Sequence, residues 1–203
     1  MRADAAGARE AAAALEAGNV VVVPTDTVYG LAARPSDAEA VRSVYRVKGR
    51  PAGMHLPVLA ASIDQVRELG VSFTTPAAVL ARRWWPGPLT LAFGFDAAHP
   101  RPAWLEGRQE VAVRIPDHRF LRGLLERTGV LVVTSANPHG APTPRTADDV
   151  AAGLGTAVDL VVDGGRLQDV PSTLVNVCGP RPVVEREGAI SRAAVDDALA
   201  GAR

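Results

Sequence analysis

Two short segments, far apart in the chain, hold the residue types best suited to chemistry. Residues 24–31 read PTDTVYGL, and KGRP follows at residues 48–51. Residues 134–144 read TSANPHGAPTP. Both segments are rich in hydroxyls, glycine and proline, and both directly follow apolar runs, VVVV at 20–23 and VLVV at 130–133. A rigid buried strand is a good platform for hydroxyls that must be held in place. Lys48 and Arg50 add a point charge and a bidentate fork, the two ways a side chain grips phosphate. Gly49 between them would let backbone approach a ligand. The combination points to an anion site for a phosphate-bearing substrate.

Each piece alone has an ordinary explanation. Ser, Thr and Asp favour turns whatever their function. Arg46, Lys48 and Arg50 suit a helix C-terminus, where cations meet the negative end of the dipole. Ser135, Asn137 and Thr143 could be turn chemistry too. Arg114 closes the run VAVR before Ile115 and Pro116, so it is either paired with an acid or reserved for a ligand carboxylate or phosphate. Arg186 closes another strand-like run between Glu185 and Glu187. Walker A, GxGxxG and GxSxG motifs are all missing from the sequence. His55, His99, His118 and His139 have no metal-ligand spacing with one another or with Cys178, so no protein metal site is expected. Trp84 and Trp85, beside Pro86 and Gly87, read as packing residues.

The elements that must position these groups alternate along the chain. Of the 203 residues, 47% are hydrophobic and 22% charged, the composition of a globular domain. A formal net charge of +0 means that any nucleic-acid contact needs a local basic patch. One cysteine excludes an internal disulfide. With no apolar run near the ~20 residues of a membrane span, a soluble cytoplasmic protein without membrane contact is expected. Helices are predicted at 5–17, from a Ser36/Glu39 capping box to Gly49, at 62–69, from Thr75/Pro76 to 84, from Asp117 to 127, from Thr146, and from Ser191 to 199. Strands are predicted at 20–23, 56–61, after Pro88, at 111–115, 130–133, 158–162, 173–177 and 183–186. Residues 96–109 read as a surface excursion. The pattern indicates an α/β fold in one domain, residues 1–203, with a twisted mixed β-sheet, flanking helices and a concave cationic site. Ligands in such folds sit beyond strand ends.

In this order and spacing, PTDTVYGL, KGRP, WPGPLTL, VAVRIPDH, TSANPHGAPTP, DGG at 163–165, STLVNV from Ser172 and EREGAIS ending at Ser191 resemble the YrdC family. The resemblance spans nearly the whole chain and matches the short single-domain bacterial form. It implies an enzyme, a nucleotidyltransferase making threonylcarbamoyl-AMP and pyrophosphate from ATP, L-threonine and bicarbonate. Magnesium would travel with ATP. The product would pass to a tRNA threonylcarbamoyl transferase complex. By the same resemblance Lys48, Arg50 and Arg186 hold the ATP phosphates, with Lys48 and Arg50 acting in catalysis. Ser135, Asn137 and Thr143 bind the nucleotide. Thr27, Arg114 and Ser172 hold threonine.

The chain departs from the family pattern at Met54, His55, Leu59 and Glu110. Leu59 would remove a polar contact near threonine, and Glu110 would turn a carboxylate toward ATP. These departures leave open a divergent paralogue with another carbamoyl-adenylate substrate. RNA contact also stays open, as does a non-enzymatic role in double-stranded RNA binding or ribosome maturation.

Overall fold

Short apolar runs assemble into one sheet because their alternate side chains find cover on opposite faces. The computed structural model describes residues 1–51 and 53–201. Its strands are β1 (Val21–Val23), β2 (Gly30–Ala33), β3 (Val58–Leu59), β4 (Leu89–Gly94), β5 (Glu110–Arg114), β6 (Leu131–Ser135), β7 (Leu160–Val161), β8 (Thr173–Asn176) and β9 (Val183–Arg186). They lie in the order β7-β1-β2-β6-β3-β5-β4-β8-β9. The β1–β7, β3–β5 and β4–β8 pairs are parallel and the rest antiparallel, so the sheet is mixed, as expected.

Strand side chains alternate between faces with a period of two. Val22, Leu31, Val58, Leu91, Phe93, Val113 and Val132 share one core cluster. That cluster includes residues of α2 (Ala38–Lys48), α4 (Thr75–Trp84), α6 (Ala147–Leu154) and α7 (Arg192–Ala200). Val21, Val23, Ala32, Leu59, Leu131 and Val133 join a second cluster. Its cover is α1 (Ala5–Glu16) and α5 (Arg119–Thr128), through Leu15, Leu121, Leu124 and Leu125. Each such leucine contributes about 1.5–3 kcal/mol by leaving water. The second cluster stops at Leu59 and Val133. Beyond it, over β5, β4 and β8, the same face carries Arg114, Ala112, Glu110, Thr90, Ala92, Leu174 and Asn176, none of which belongs to either cluster. Neither apolar cluster extends over this half of the sheet face.

Several predicted boundaries move. β2 was not anticipated; it pairs with both β1 and β6. Ser36 does not cap α2. The cap is Asp37, whose carboxylate accepts from the Glu39 and Ala40 amides. Thr74 rather than Thr75 caps α4, and His118 rather than Asp117 caps α5. The expected strand at 56–61 shrinks to β3. The helix after Ser62 is the single-turn α3 (Ile63–Arg67). The Thr146 and Ser191 caps are present as expected, and Asp149 completes a capping box with Thr146. Trp85 packs near Phe93 and donates to the Leu89 carbonyl at 2.7 Å, consistent with a packing role. Among the described residues, no helix is long and apolar enough to cross a membrane.

Candidate active site

The second core cluster ends at a cleft of about 310 Å³ lined by Thr25, Thr27, Val28, Gly30, Arg50, Pro57, Leu59, Thr90, Arg114, Val133, Thr134, Ser135, Thr143, Pro171, Ser172 and Arg186. Strand ends and the loops after them supply nearly every wall. Gly30 must be small, because a Cβ there would lie 2.5 Å from a Val133 methyl.

The β1–β2 connection is locked by its own hydroxyls. The Thr25 hydroxyl accepts from the Thr27 and Val28 amides and donates to the Val28 carbonyl at 2.7 Å. Thr27 Oγ1 lies 3.0 Å from Thr25 Oγ1 and accepts from Arg114 Nη1 at 2.8 Å. Arg114 sits at the end of β5, 5% exposed. Its Nε donates to the Gly87 carbonyl at 2.9 Å, and Nη2 to Asp26 Oδ1 at 2.6 Å. The expected acid partner is therefore present, and Arg114 also lines the cleft. Three of its five N–H groups are committed and two remain. Burial presses its pKa down, and Asp26 opposes that.

Arg186, on β9, donates from Nε and Nη2 to the Ser172 carbonyl at 3.1 and 2.9 Å, and from Nη2 to Ser172 Oγ at 3.2 Å. Ser172 Oγ also meets Thr90 Oγ1 at 2.8 Å. Arg50 follows the C-terminus of α2. It donates to the carbonyls of Met54 at 2.9 Å and His55 at 3.2 Å. Burial, then the like charges of Arg114 and Arg50, hold the Arg186 pKa below its ordinary value. Arg186 thus lies close enough to the other two guanidinium groups to feel their charge.

Lys48 is placed differently from its expected role. It is 4% exposed and absent from the pocket wall. Its ammonium donates to Ser135 O, Ser135 Oγ, Asn137 O and Asn137 Oδ1 at 2.8–3.1 Å. Burial first, then Arg50, draws its pKa down to about 8. The expected nucleotide contact through the Asn137 side chain also meets a competitor. Its Oδ1 accepts from Lys48, and its Nδ2 donates to Ala141 O at 2.6 Å. Lys48 and Asn137 therefore stand behind the wall and hold the turn after β6. The turn in turn presents Ser135, while Thr143 closes the same side.

The structure thus gathers Thr27, Arg50, Arg114, Ser135, Thr143, Ser172 and Arg186 into one cleft and puts Lys48 and Asn137 immediately behind it. Sequence reasoning missed Asp26 as the partner of Arg114, and Thr90 as the partner of Ser172. The departures fall unevenly. Leu59 lines the cleft beside Arg114, its register partner on β5. Met54 and His55 meet Arg50 through backbone only. Glu110 does not face the cleft. It begins β5, about 13 Å along the strand from Arg114, and accepts from Asn176 Nδ2 at 3.0 Å. A four-residue step along the strand keeps Glu110 on the face of Arg114 but at the strand's other end.

A sequence model of the Sua5/YciO/YrdC family, described as "Telomere recombination", matches residues 13–188. The chain belongs to this family. It is 37% identical over 191 residues to threonylcarbamoyl-AMP synthase of Bacillus subtilis (strain 168), covering 92% of this chain and 55% of that protein. It is 35% identical over 196 residues to a putative threonylcarbamoyl-AMP synthase of Mycobacterium tuberculosis (strain H37Rv), covering 95% of this chain and 89% of that one. The fold matches P. abyssi Sua5 complexed with L-threonine at a TM-score of 0.85 and 35% identity, over 94% of this chain and 56% of that chain. This Sua5/YciO/YrdC chain thus spans about half the length of the Bacillus and P. abyssi proteins. The part shared with them contains the whole cleft.

Proposed function

We propose that the chain is an L-threonylcarbamoyladenylate synthase. It joins L-threonine, bicarbonate or CO2, and ATP into threonylcarbamoyl-AMP with release of pyrophosphate. One observation carries this reading. A single cleft contains an acid-paired arginine among hydroxyls, Arg114 with Thr27, and two arginines held only by carbonyls and a hydroxyl, Arg50 and Arg186. The first suits an amino-acid carboxylate and the second pair suits a polyphosphate.

The chemistry asks little of side-chain nucleophiles. The amine of threonine adds to CO2 and loses a proton, giving a carbamate. A carbamate oxygen attacks the α-phosphorus of ATP, and the bond to the β-phosphate oxygen breaks as pyrophosphate leaves. Arg50 and Arg186 offset charge on the phosphates as it redistributes. Arg114, Thr27 and Ser172 hold threonine so that the carbamate meets phosphorus, and such positioning supplies about 7 kcal/mol or more of barrier reduction. Ser135 and Thr143 offer hydroxyls to the nucleotide, on a turn that Lys48 and Asn137 hold.

The cleft wall carries hydroxyls and cations but no carboxylate. Among the described residues, no cluster of three metal-ligating side chains exists. The donor set fits magnesium only as part of the ATP complex, ligated by phosphate oxygens and water. As in the relatives' names, the product is an activated threonylcarbamoyl group. Its consumer is a transferase acting on tRNA adenosine, in the cytoplasm. The deciding experiment is pyrophosphate release from ATP with L-threonine and bicarbonate. Release must depend on threonine; a rate equal to the threonine-free control overturns the proposal.

A further inference from the structure

Three arginines share the cleft, and any of them could grip a polyphosphate. They are held in two different ways. Arg114 alone makes an ion pair, with Asp26, at 2.6 Å. The pair is enclosed, with side chains 6% and 14% exposed. Among the described residues, no carboxylate lies within ion-pair distance of Arg50 or Arg186. Their partners are the carbonyls of Met54, His55 and Ser172 and the Ser172 hydroxyl.

We propose that Asp26 is a positioning residue that sorts the two substrates: by neutralising Arg114 it makes that guanidinium an amino-acid anchor and leaves net positive charge only at Arg50 and Arg186. The inference rests on the functional reading above. An ion pair keeps its directional N–H donors while its long-range field collapses to that of a dipole. A zwitterionic amino acid needs the donors and gains little from net charge. A triphosphate needs the charge. Asp26 therefore costs threonine nothing and discourages polyphosphate from spreading into the threonine half. It also fixes the direction of Arg114, with Thr27 and Gly87 as the other two supports. The rigid turn built by Thr25 makes the Asp26 side chain a reliable partner.

Asp26→Asn keeps the shape and an acceptor oxygen but removes the charge. Inorganic tripolyphosphate, followed by calorimetry on the full chain, reads the charge sorting without turnover. The expected result is about tenfold tighter tripolyphosphate binding, with inhibition that becomes competitive against threonine. The threonine KM should rise about tenfold while the ATP KM does not worsen. Asp26→Glu should recover part of the threonine KM. The double variant Asp26→Asn with Arg114→Gln, which carries no unpaired charge, should return tripolyphosphate affinity to the wild-type value and covers the case in which the single variant does not fold. Unchanged tripolyphosphate affinity in Asp26→Asn, or equal losses in both KM values with none in tripolyphosphate binding, overturns the proposal. Absent threonine-dependent turnover in the wild-type protein would instead sink the functional reading, and the tripolyphosphate titrations would still decide the sorting.

Discussion

The two ends of β5 share a strand and a face and do opposite things. At its C-terminal end Arg114 meets Thr27, Asp26 and the cleft. At its N-terminal end Glu110 meets Asn176, which also donates to Glu185 at 2.8 Å, and Cys178 Sγ lies 3.5 Å away. One end is cationic and the other acidic, about 13 Å apart. Helices α1 and α5 cover the neighbouring part of this face with leucine, but neither apolar cluster extends over β5 at Arg114 or Glu110. Lying outside the apolar cover therefore does not by itself make a site. What distinguishes the Arg114 end is that the loops after β1 and β6, the loop before β8, and the ends of β9 and α2 converge there with hydroxyls and two more cations.

The sharpest way to break this contrast is to remove its centre. Arg114→Ala should lower threonine-dependent pyrophosphate release by about 10²–10³-fold in kcat/KM, because a buried charge-assisted contact is lost and Asp26 is left unpaired. A denaturation midpoint measured alongside should fall as well. Arg50→Ala should cost about 10²-fold in kcat/KM with an unchanged midpoint, since Arg50 is only half-buried and its partners are backbone carbonyls. Near-wild-type turnover in Arg50→Ala would remove the phosphate role from that side of the cleft.

Much of this was legible in the sequence, for a physical reason. Strands β1 and β6 are runs of valine and leucine buried on both faces, so they announce themselves. The hydroxyl segments directly after them sit where such strands must end. β2 was not legible, because Gly30, Ala32 and Ala33 carry no β-branched signal and the strand is placed by pairing on both sides. Three caps shifted by one residue. Ser36 and Asp37, Thr74 and Thr75, and Asp117 and His118 are adjacent candidates, and backbone dihedrals choose between them. Asp26 was read as part of a turn, since its partner lies 88 residues away. Thr90 sits on the open face of a strand whose other face is core, which matters only once the cover of the sheet is known. Glu110 shows the reverse limit: a resemblance matched position by position does not say how far along a strand a bound nucleotide reaches.

The acidic end offers a smaller test that needs no substrate. Cys178 is exposed, yet burial of its sulfur, followed by Glu110 and Glu185, pushes its thiol up to about 11. Thiolate is the reactive form, although a high-pKa thiolate is intrinsically the better nucleophile. The net expectation at pH 8 is alkylation by iodoacetamide roughly tenfold slower than for a free thiol. A rate equal to that of a model thiol would mean that neither burial nor the carboxylates act on the sulfur.

Glu110→Gln then joins both ends in one experiment and has the smallest expected effect on turnover. If charge is sorted along β5, neutralising Glu110 should speed Cys178 alkylation several-fold, because the two nearest sources of repulsion become one. It should leave pyrophosphate release within about twofold, because Glu110 is partly exposed and ~13 Å along the strand from Arg114, beyond the screening length at physiological salt. The two readouts constrain each other. Faster labelling with unchanged turnover means that the acidic end belongs to the scaffold. A several-fold change in the ATP KM would mean that the acidic end reaches the bound nucleotide. The cleft would then extend the whole length of the open face, and its boundary at Arg114 would have to be redrawn.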